Sequence, residues 1–285
     1  MISLHDIRYV RIGTGDIDHS VKFATRMLGL EVADRDSGAA YLRSDDRDHT
    51  LVYLDAPVDQ HTVGFELRTQ EDLDAAAAEL EAAGFAVKAG TASECDQRRV
   101  GAFVSFREPS GTTVDLVAKP WHSGRHYAPS RPAGITGFSH IGLYTQSAAR
   151  DERFWTHTCN ARVSDWIGDA PLLRIDAVHH KMALFPATRS GVQHINHQVA
   201  GIDDVMRSYY LLRENGVHIR FGPGRHPTSG AMFLYFEGPD GMTYEFSTGV
   251  RMIDDEDHHQ PRKFPFKSTS FCAWGSKPDI PEFKT

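Results

Sequence analysis

The sequence predicts an α+β fold in which two similar halves follow one another along the chain, each with a curved mixed sheet and helices on its outer face. One observation is a strand–helix–strand pattern that occurs in both halves, and a second is a strand followed by a helix that ends at a glycine. A third is a Pro-x-Gly turn between two strands in each half. The paired segments are 7–34 and 138–165, 61–87 and 194–219, and 105–117 and 235–247.

The repeat also predicts how the chain divides into domains. The paired segments lie about 130 residues apart, and each half contains the pattern twice, which predicts two βαβββ modules per half. We expect an N-terminal domain at 1–120, a Pro- and Gly-rich linker at 119–134 and a C-terminal domain at 135–250. Residues 251–285 lose the pattern, so we expect them to pack as a tail on the C-terminal domain.

The composition argues against several classes of protein. The chain has 285 residues with 31 Lys and Arg against 38 Asp and Glu, a net charge of −7, so no nucleic-acid-binding surface is expected. No apolar run approaches the ~20 residues of a membrane span and no signal peptide is recognisable, which predicts a cytoplasmic protein with no membrane partner. The three cysteines lie far apart, which argues against a disulfide framework or a zinc–thiolate site.

Three polar residues on predicted strands of the second half suggest a metal site. His140, His194 and Glu245 each fall in the middle of a strand, and the repeat places these strands on one curved sheet. Two imidazoles and one carboxylate that converge leave coordination positions open and suit a non-haem Fe(II) ion. Each residue alone is also compatible with a polar residue of the core, although an unpaired buried carboxylate is costly. The three together favour the metal site.

The segment 222–245 resembles the signature of the extradiol ring-cleavage dioxygenases. It departs from that signature at Gly238, and otherwise contains Gly224-Arg225-His226, a seven-residue spacer, Leu234-Tyr235, Pro239-Asp240-Gly241 and Glu245. The whole chain is similar, end to end, to the type I extradiol group of the vicinal oxygen chelate superfamily. The resemblance implies two tandem domains of the glyoxalase/bleomycin-resistance type.

This resemblance implies a function and a set of site residues. The expected activity is extradiol cleavage of a substituted or bicyclic catechol with O2, in the degradation of aromatic compounds, by a homo-oligomeric enzyme. The ligands of Fe(II), or less favourably of Mn(II), would be His140, His194 and Glu245, with no organic cofactor. Beside them, His180 would act as an acid and base with a pKa near neutrality, and His226 and Tyr235 would line the catechol site.

Two of these positions have neighbouring alternatives. His179 precedes His180 on the same predicted strand and would point to the other face of that strand. His197 lies three residues after His194, but the distance from the histidine to the predicted helix start at 203–205 favours His194. A slip of three residues would also reverse the face of the strand.

The first half resembles a degraded copy of the second. Tyr9, His61 and Asp115 are expected at the positions that correspond to the three candidate ligands, and His49 at the position that corresponds to His180. The first imidazole of the set is therefore lost. We expect the N-terminal domain to hold no metal and to act as a scaffold.

The clues to the substrate are few. Family members that act on a catechol with a carboxylate side chain commonly have an arginine five residues before the signature histidine, where this chain has Phe221. An apolar residue there favours an uncharged alkyl or aryl substituent. Pocket walls are expected from Trp155, Phe185, Phe271 and Trp274, with Trp274 acting as a lid on the tail.

Two other classes of function stay open. One is a glyoxalase-type isomerase or lyase of the same superfamily, which needs a carboxylate base with Zn or Ni and does not need the His226–Tyr235 pair. The other is a non-catalytic aromatic-binding protein of the same fold. Such a protein would lack metal ligands, so the intact set of three candidate ligands counts against it.

Overall fold

Two mixed β-sheets, one in each half of the chain, form the framework of the protein. The computed structural model describes all of residues 1–285. The first sheet contains β1 (Asp6–Thr14), β2 (Glu31–Arg35), β3 (Ala39–Arg43), β4 (Leu51–Asp55), β5 (His61–Glu66), β6 (Lys88–Ala89), β7 (Val100–Arg107) and β8 (Thr113–Pro120). Its helices are α1 (Ile17–Phe23, continued by a π-helical turn at Ala24–Leu28), α2 (Gln70–Ala82) and α3 (Ala92–Arg98).

The second half repeats this order and adds a terminal segment. Its strands are β9 (Ile135–Thr145), β10 (Arg162–Ile167), β11 (Ala170–Arg174), β12 (Met182–Pro186), β13 (Val192–Val199), β14 (Ile219–Arg225), β15 (Met232–Glu237), β16 (Thr243–Thr248) and β17 (Arg262–Phe264). Its helices are α4 (Ala148–Arg153, continued by a π-helical turn at Phe154–Thr158), α5 (Ile202–Glu214) and α6 (Ser268–Phe271). None of the helices has the length and apolar character needed to cross a bilayer.

The two sheets share one connectivity, which confirms the predicted fold class. In the first sheet β1 is parallel to β4 and antiparallel to β5, and β5 is parallel to β8. In the second sheet β9 is parallel to β12 and antiparallel to β13, and β13 is parallel to β16. Each sheet therefore joins two βαβββ modules through the antiparallel pair at its centre.

Local sequence signals explain where the helices end and where the hairpins turn. Helices α2 and α5 are followed by Gly84 and Gly216, whose φ angles of +87° and +71° are left-handed and suit a residue without a Cβ atom. Thr69 opens α2 with a capping box that it shares with Asp72. The two Pro-x-Gly segments join β7 to β8 and β15 to β16 as antiparallel hairpins, as the sequence predicts.

The hydrophobic core is continuous between the two halves. A single cluster of buried apolar side chains draws on both sheets. Within it, Trp155 of the second half lies against Phe65 of the first, with 5.3 Å between the ring centroids. The Tyr53 and Tyr244 hydroxyls also meet across the halves at 2.7 Å. The first half therefore supports the second directly, because its core side chains complete the same apolar interior.

The C-terminal segment packs on the second sheet. Strand β17 pairs in parallel with β10 and forms the outermost strand of that sheet. Phe271 and Phe283 are fully buried and stack at 5.0 Å. Phe283 also lies 4.7 Å from Phe185 of β12. The segment thus contributes aromatic side chains to the interior of the second half.

One buried histidine in the core is not hydrogen-bonded. His197 on β13 is fully buried beside Phe138, and neither ring nitrogen has a hydrogen-bond partner. Burial lowers its pKa from 6.5 to about 3, so the native state keeps the ring neutral. As the pH falls below 6.5, the unfolded chain therefore binds a proton that the native protein does not, and stability is lost over that range.

We expect His197→Leu to remove this acid sensitivity. At about pH 5 the wild-type side chain should cost about 2 kcal/mol of unfolding free energy, since each pH unit below the unfolded pKa costs ~1.4 kcal/mol. The measurement is the denaturant midpoint of wild type and variant at about pH 7 and pH 5. Equal pH dependence of wild type and His197→Leu would contradict the expectation.

Candidate metal centre and active site

Three neighbouring strands bring the predicted ligands together. His140 lies on β9, His194 on β13 and Glu245 on β16, and β13 pairs with both of the other strands. Oε2 of Glu245 is 2.9 Å from Nε2 of His140 and 3.5 Å from Nε2 of His194. All three side chains are buried, and their ligand atoms lie within 4.8 Å of one another. The structure thus brings the three predicted residues into one cluster.

The atoms that converge here have no hydrogen-bond partners. Nε2 of His140, Nε2 of His194 and both carboxylate oxygens of Glu245 are buried and lack a bond of acceptable geometry. Burying such atoms unpaired is costly unless a cation or hydrogen bonds compensate. Burial favours protonation of Glu245, but the adjacent His140 and His194 imidazoles hold its pKa well below its ordinary value, so it stays ionised. The donor set therefore fits a divalent transition-metal ion with open coordination positions.

The surroundings of His194 orient its ring as a ligand. Nδ1 of His194 donates a hydrogen bond to the side-chain oxygen of Gln193, which leaves Nε2 unprotonated and directed at Glu245. A bulge in β13 between Val192 and His194 lets these adjacent side chains meet. On β9, a Cβ atom at Gly142 would lie 2.3 Å from Nδ1 of His194, so the ring occupies space that only a glycine leaves free.

His180 lies beside the three ligands in the turn before β12. It is buried, and its ring centroid is 4.3 Å from that of His140. The expectation that His179 and His180 lie on a strand is wrong, although their rings do face different surroundings. The expected pKa near neutrality is also wrong for this state, because burial and the neighbouring His140 lower the pKa of His180 well below 6.5. The ring is therefore neutral before any substrate binds.

His226 and Tyr235 form a pair on the other side of Glu245. Tyr235 on β15 lies directly opposite Glu245 on β16, and its hydroxyl is 3.3 Å from Nε2 of His226. Nδ1 of His226 donates to the carbonyl of Phe271 at 2.8 Å, which leaves Nε2 as an acceptor. Burial and the Glu245 carboxylate raise the pKa of Tyr235 well above 10, so the phenol stays protonated. In the free site its single hydroxyl proton is donated to Nε2 of His226.

His180, His194, His226 and Tyr235 line one small cavity with predominantly apolar walls. Thr228 and Ser229 are its polar contributors besides the histidines and Tyr235. A larger groove lies between α1 and the end of α5, but it contains none of the site residues. The cavity is lined by Ile167, Leu172, His180, Ala183, Phe185, His194, His226, Thr228, Ser229, Tyr235, Phe271 and Phe283.

Some predicted pocket residues lie elsewhere. Phe185 and Phe271 line the cavity, whereas Trp155 belongs to the main core and Trp274 is about half exposed. The expectation that Trp155 forms a pocket wall is therefore wrong. Trp274 does not line the cavity either, and Phe283 supplies the second aromatic wall from the tail. The aromatic residues of the tail could not be ranked from the sequence, because their distance from the site depends on how the irregular tail folds back.

A model of the Glyoxalase/Bleomycin resistance protein/Dioxygenase superfamily matches both halves of the chain, at residues 6–116 and 137–246. The chain belongs to this superfamily. Apart from a few end residues, the first matched region spans β1 to β8 and the second spans β9 to β16, so each half is one domain of the superfamily.

Curated members of the superfamily resemble the chain over nearly its whole length. An iron-dependent extradiol dioxygenase of Rhodococcus jostii (strain RHA1) is 27% identical over 96% of this chain and 97% of its own. A manganese-dependent 2,3-dihydroxybiphenyl 1,2-dioxygenase of Geobacillus genomosp. 3 is 24% identical over 87% of this chain and 86% of its own. These relatives confirm the resemblance to extradiol dioxygenases that the sequence indicates.

Solved structures of the superfamily show the same fold. The halotolerant catechol dioxygenase BphC superposes with a TM-score of 0.89 at 22% identity, over 99% of this chain and 98% of that one. An Mn(II)-bound glyoxalase from Novosphingobium aromaticivorans superposes with a TM-score of 0.88 at 25% identity, over 100% and 95%. The fold is therefore shared by proteins named for different reactions, and the site has to decide between them.

The corresponding site of the first half is filled by an ion pair. The Tyr9 hydroxyl donates to Oδ2 of Asp115 at 2.9 Å, and Nε of Arg98 donates to the same oxygen at 2.6 Å. Burial and the Asp115 charge raise the pKa of Tyr9 well above 10, so its phenol is a poor metal ligand. His49 stacks on Tyr9 at 5.3 Å between the ring centroids, in the place that corresponds to His180.

The predicted correspondence of His61 to His194 is wrong by one residue. His194 pairs with Gly142 as Thr62 pairs with Arg11, and Gly142 and Arg11 occupy matching positions on the first strand of each half. Thr62 is therefore the counterpart of His194. Because side chains alternate along a strand, the shift turns His61 away from the site, and its Nδ1 accepts from the backbone N–H of Val192.

We expect one metal ion per chain. In the first half the Arg98 guanidinium already neutralises Asp115, and no imidazole other than His49 lies beside them. The stoichiometry should be measured by elemental analysis of protein purified without oxygen and dialysed. Two ions per chain retained after dialysis would show that the first half also binds metal.

Proposed function

We propose that this protein cleaves the ring of an uncharged substituted or bicyclic catechol next to its diol, using Fe(II) and O2, in the breakdown of aromatic compounds. The observation that carries the proposal is the unpartnered His140, His194 and Glu245 cluster beside Tyr235 and His226. A three-ligand site that leaves positions open suits an iron ion that binds substrate and O2 together.

The Fe(II) ion would be held by Nε2 of His140, Nε2 of His194 and the Glu245 carboxylate. When bound, it lowers the pKa of the coordinated diol and conducts electrons from the ring to O2, so no external reductant is needed. The cluster carries one negative charge and two neutral ligands, so a divalent ion leaves a positive charge to attract the deprotonated diol. The donor set alone does not separate iron from manganese, and the iron-dependent relative of 27% identity supports iron.

Three further side chains of the cavity would act on the catechol. Tyr235, held protonated by its surroundings, would turn its hydroxyl proton from Nε2 of His226 to one diol oxygen when the catechol binds. His180 is neutral in the free site, so it can accept a proton from a diol hydroxyl. It would return this proton when the O–O bond is broken. All three residues line the same cavity, so one ring bound there can contact all of them.

The lining of the cavity supports an apolar substituent. Ile167, Leu172, Phe185, Phe271 and Phe283 form most of the wall, and no Lys or Arg reaches it. A substrate carboxylate would be buried there without a partner, at a cost of several kcal/mol. Phe221 stacks behind Tyr235, with 5.8 Å between the ring centroids, and does not line the cavity. Its role is therefore to leave this position without the arginine that a carboxylate substrate would need.

The experiment is a substrate screen in air with the Fe(II)-loaded protein. Catechol, 3- and 4-methylcatechol, 2,3-dihydroxybiphenyl and a carboxylate-bearing catechol are compared by product spectrum and O2 uptake. A yellow ring-opened product with one O2 consumed per substrate is expected for the uncharged catechols. Hydrogen peroxide should inactivate the enzyme, and ascorbate with ferrous salt should restore it. A manganese-loaded protein that is active and insensitive to peroxide would contradict the choice of iron.

The two rival classes make different predictions in this screen. A glyoxalase-type isomerase would act on a thiol adduct of an aldehyde and would leave every catechol intact. A non-catalytic aromatic-binding protein would bind the catechols without O2 uptake. The pairing of Tyr235 with His226, which the first rival does not require, favours the dioxygenase. The homo-oligomeric state and the cytoplasmic location stay predictions.

A further inference from the structure

His179 is buried and makes two hydrogen bonds that the proposed chemistry does not use. Its Nε2 lies 2.9 Å from Oδ2 of Asp165 on β10, and its Nδ1 lies 3.1 Å from Nδ1 of His180. The side chains of His179 and Asp165 are both fully buried. A continuous chain of contacts therefore runs from a carboxylate through one imidazole to the histidine beside the candidate metal centre.

The carboxylate at the end of this chain is ionised. Arg262 of β17 donates to Asp165 from its backbone N–H at 2.8 Å and from Nη2 at 2.6 Å. Arg251 adds a longer contact of 3.4 Å. Burial alone would raise the pKa of Asp165, but the hydrogen bonds from His179 and Arg262 lower it to about 2. Asp165 therefore only accepts hydrogen bonds, and the proton between it and His179 belongs to Nε2 of His179.

That assignment fixes the protons on both imidazoles. Burial lowers the pKa of His179, so the ring is neutral and carries a single N–H. Since Nε2 of His179 holds that proton, its Nδ1 is an acceptor. The atom that faces it is Nδ1 of His180, which must be the donor. A neutral His180 is then protonated at Nδ1 and has its lone pair at Nε2, on the part of the ring that is not engaged by His179.

We propose that His179, oriented by Asp165, is a positioning residue that holds His180 in the tautomer whose Nε2 can take a proton from the bound diol. This inference rests on the proposed function, because it assigns a role to His180 in the cleavage of a catechol. When the diol oxygen gives its proton to Nε2 of His180, the oxygen keeps the electron pair. The new positive charge on His180 is then stabilised by the lone pair of His179 and, beyond it, by the Asp165 carboxylate.

The hydrogen bonds that link Asp165, His179 and His180 also connect the C-terminal tail to the candidate site. Arg262 lies on the strand that pairs with β10 directly at Asp165. Docking of residues 262–264 therefore completes the set of donors around Asp165, as Phe271 of the same segment completes the hydrogen bonding of His226. Both histidines that flank the ligand cluster are oriented through groups that the tail supplies or holds.

Two substitutions of His179 separate positioning from simple packing. Asn places its amide near the position of Nδ1 of histidine, whereas Gln reaches the position of Nε2. His179→Asn should therefore keep an acceptor for His180 and lose the bond to Asp165, while His179→Gln should keep the bond to Asp165 and lose the acceptor. Asp165 retains its bonds to Arg262 in either variant, so neither leaves that carboxylate unpaired. Both variants lack the imidazole, so a difference between them cannot come from its loss alone.

The first measurement is steady-state kinetics on the best uncharged catechol, with metal content determined on the same samples. We expect His179→Gln to keep its metal and a KM within about threefold of wild type while kcat falls ~10- to 100-fold, as for other residues that orient an active-site group. His179→Asn should recover kcat to within about fivefold of wild type. Equal kcat values for the two variants, or a higher value for His179→Gln, would overturn the proposal.

The second measurement does not depend on activity. Long-range ¹H–¹⁵N correlation of histidine-labelled, chelator-treated protein reports which nitrogen of His180 carries the proton. Wild type and His179→Asn should show the Nδ1–H form, and His179→Gln should shift towards Nε2–H. An Nε2–H tautomer in the wild type would overturn the proposal even if catechols are cleaved. If no catechol is cleaved but the tautomers are as expected, the proposed function fails and the orienting role of His179 stands.

Discussion

Glu245→Ala should retain no metal and show no ring cleavage. Glu245 supplies the only carboxylate of the cluster, and its oxygens are the atoms closest to Nε2 of both His140 and His194. Without it, two neutral imidazoles remain, which bind a divalent ion weakly and leave its charge uncompensated in a buried site. The expected result is metal below one-tenth of wild-type content after anaerobic purification, measured by elemental analysis, together with loss of O2 uptake.

The first half offers a matched control for this variant. Asp115 occupies the position of Glu245, opposite Ser105 as Glu245 is opposite Tyr235, and it is equally buried. Asp115→Asn keeps an acceptor for Tyr9 and Arg98, so it should fold and bind metal like wild type. Full metal occupancy in Glu245→Ala would refute the ligand assignment. Loss of metal in Asp115→Asn would show that the first half takes part in metal binding.

The repeat made the fold and the ligand cluster predictable from the sequence. Because two modules recur in each half, His140 and His194 fall on the central antiparallel pair of the second sheet, and Glu245 falls on the strand next to it. Strand periodicity then decides which residues face the concave side. His197, three residues from His194, lies in the apolar core beside Phe138, as the reversal of the strand face predicts.

Features that depend on non-local geometry could not be predicted. His61 matches His194 when the two halves of the sequence are aligned. The strand pairing nevertheless places Thr62, one residue later, at the position of His194. The hydrogen bond from His194 to Gln193 requires a bulge that no local sequence pattern indicates. The hydrogen bond between His179 and Asp165 joins residues that are 14 positions apart. It depends on the turn that contains His179, where the sequence had suggested a strand.

The contacts that the C-terminal tail makes with the site could not be predicted from the sequence either. Its position in the sequence predicts that it packs on the second half, but not which of its side chains approach the site. Phe283 is buried between Phe185 and Phe271, whereas Trp274 stays about half exposed. The tail has little regular structure, so no periodicity fixes the direction of its side chains. Only the folded chain shows that the carbonyl of Phe271 bonds to His226.

His180→Phe should keep its metal and still bind catechol, yet turn over far more slowly. His180 lies beside His140 and lines the cavity, but it is not one of the three converging ligands. Removing a positioned acid and base typically lowers the rate ~10²–10⁴-fold. The spectral change on anaerobic addition of catechol should match that of wild type. Under air, kcat should fall in that range, and part of the O2 consumed should be released as hydrogen peroxide.

The control for this variant comes from the first half, since His179 contacts His180 and cannot serve as an inert neighbour. His49 matches His180 in position and is just as buried, but it stacks on Tyr9 next to the ion pair of Asp115 and Arg98. His49→Phe should keep kcat within about twofold of wild type, because we expect the first half to bind no metal and the effect of the substitution to be confined to packing there. Metal loss in His180→Phe like that of Glu245→Ala would make His180 a ligand. Wild-type turnover in His180→Phe would mean that another residue transfers the proton, and His226 is the other imidazole of the cavity that is not a candidate ligand.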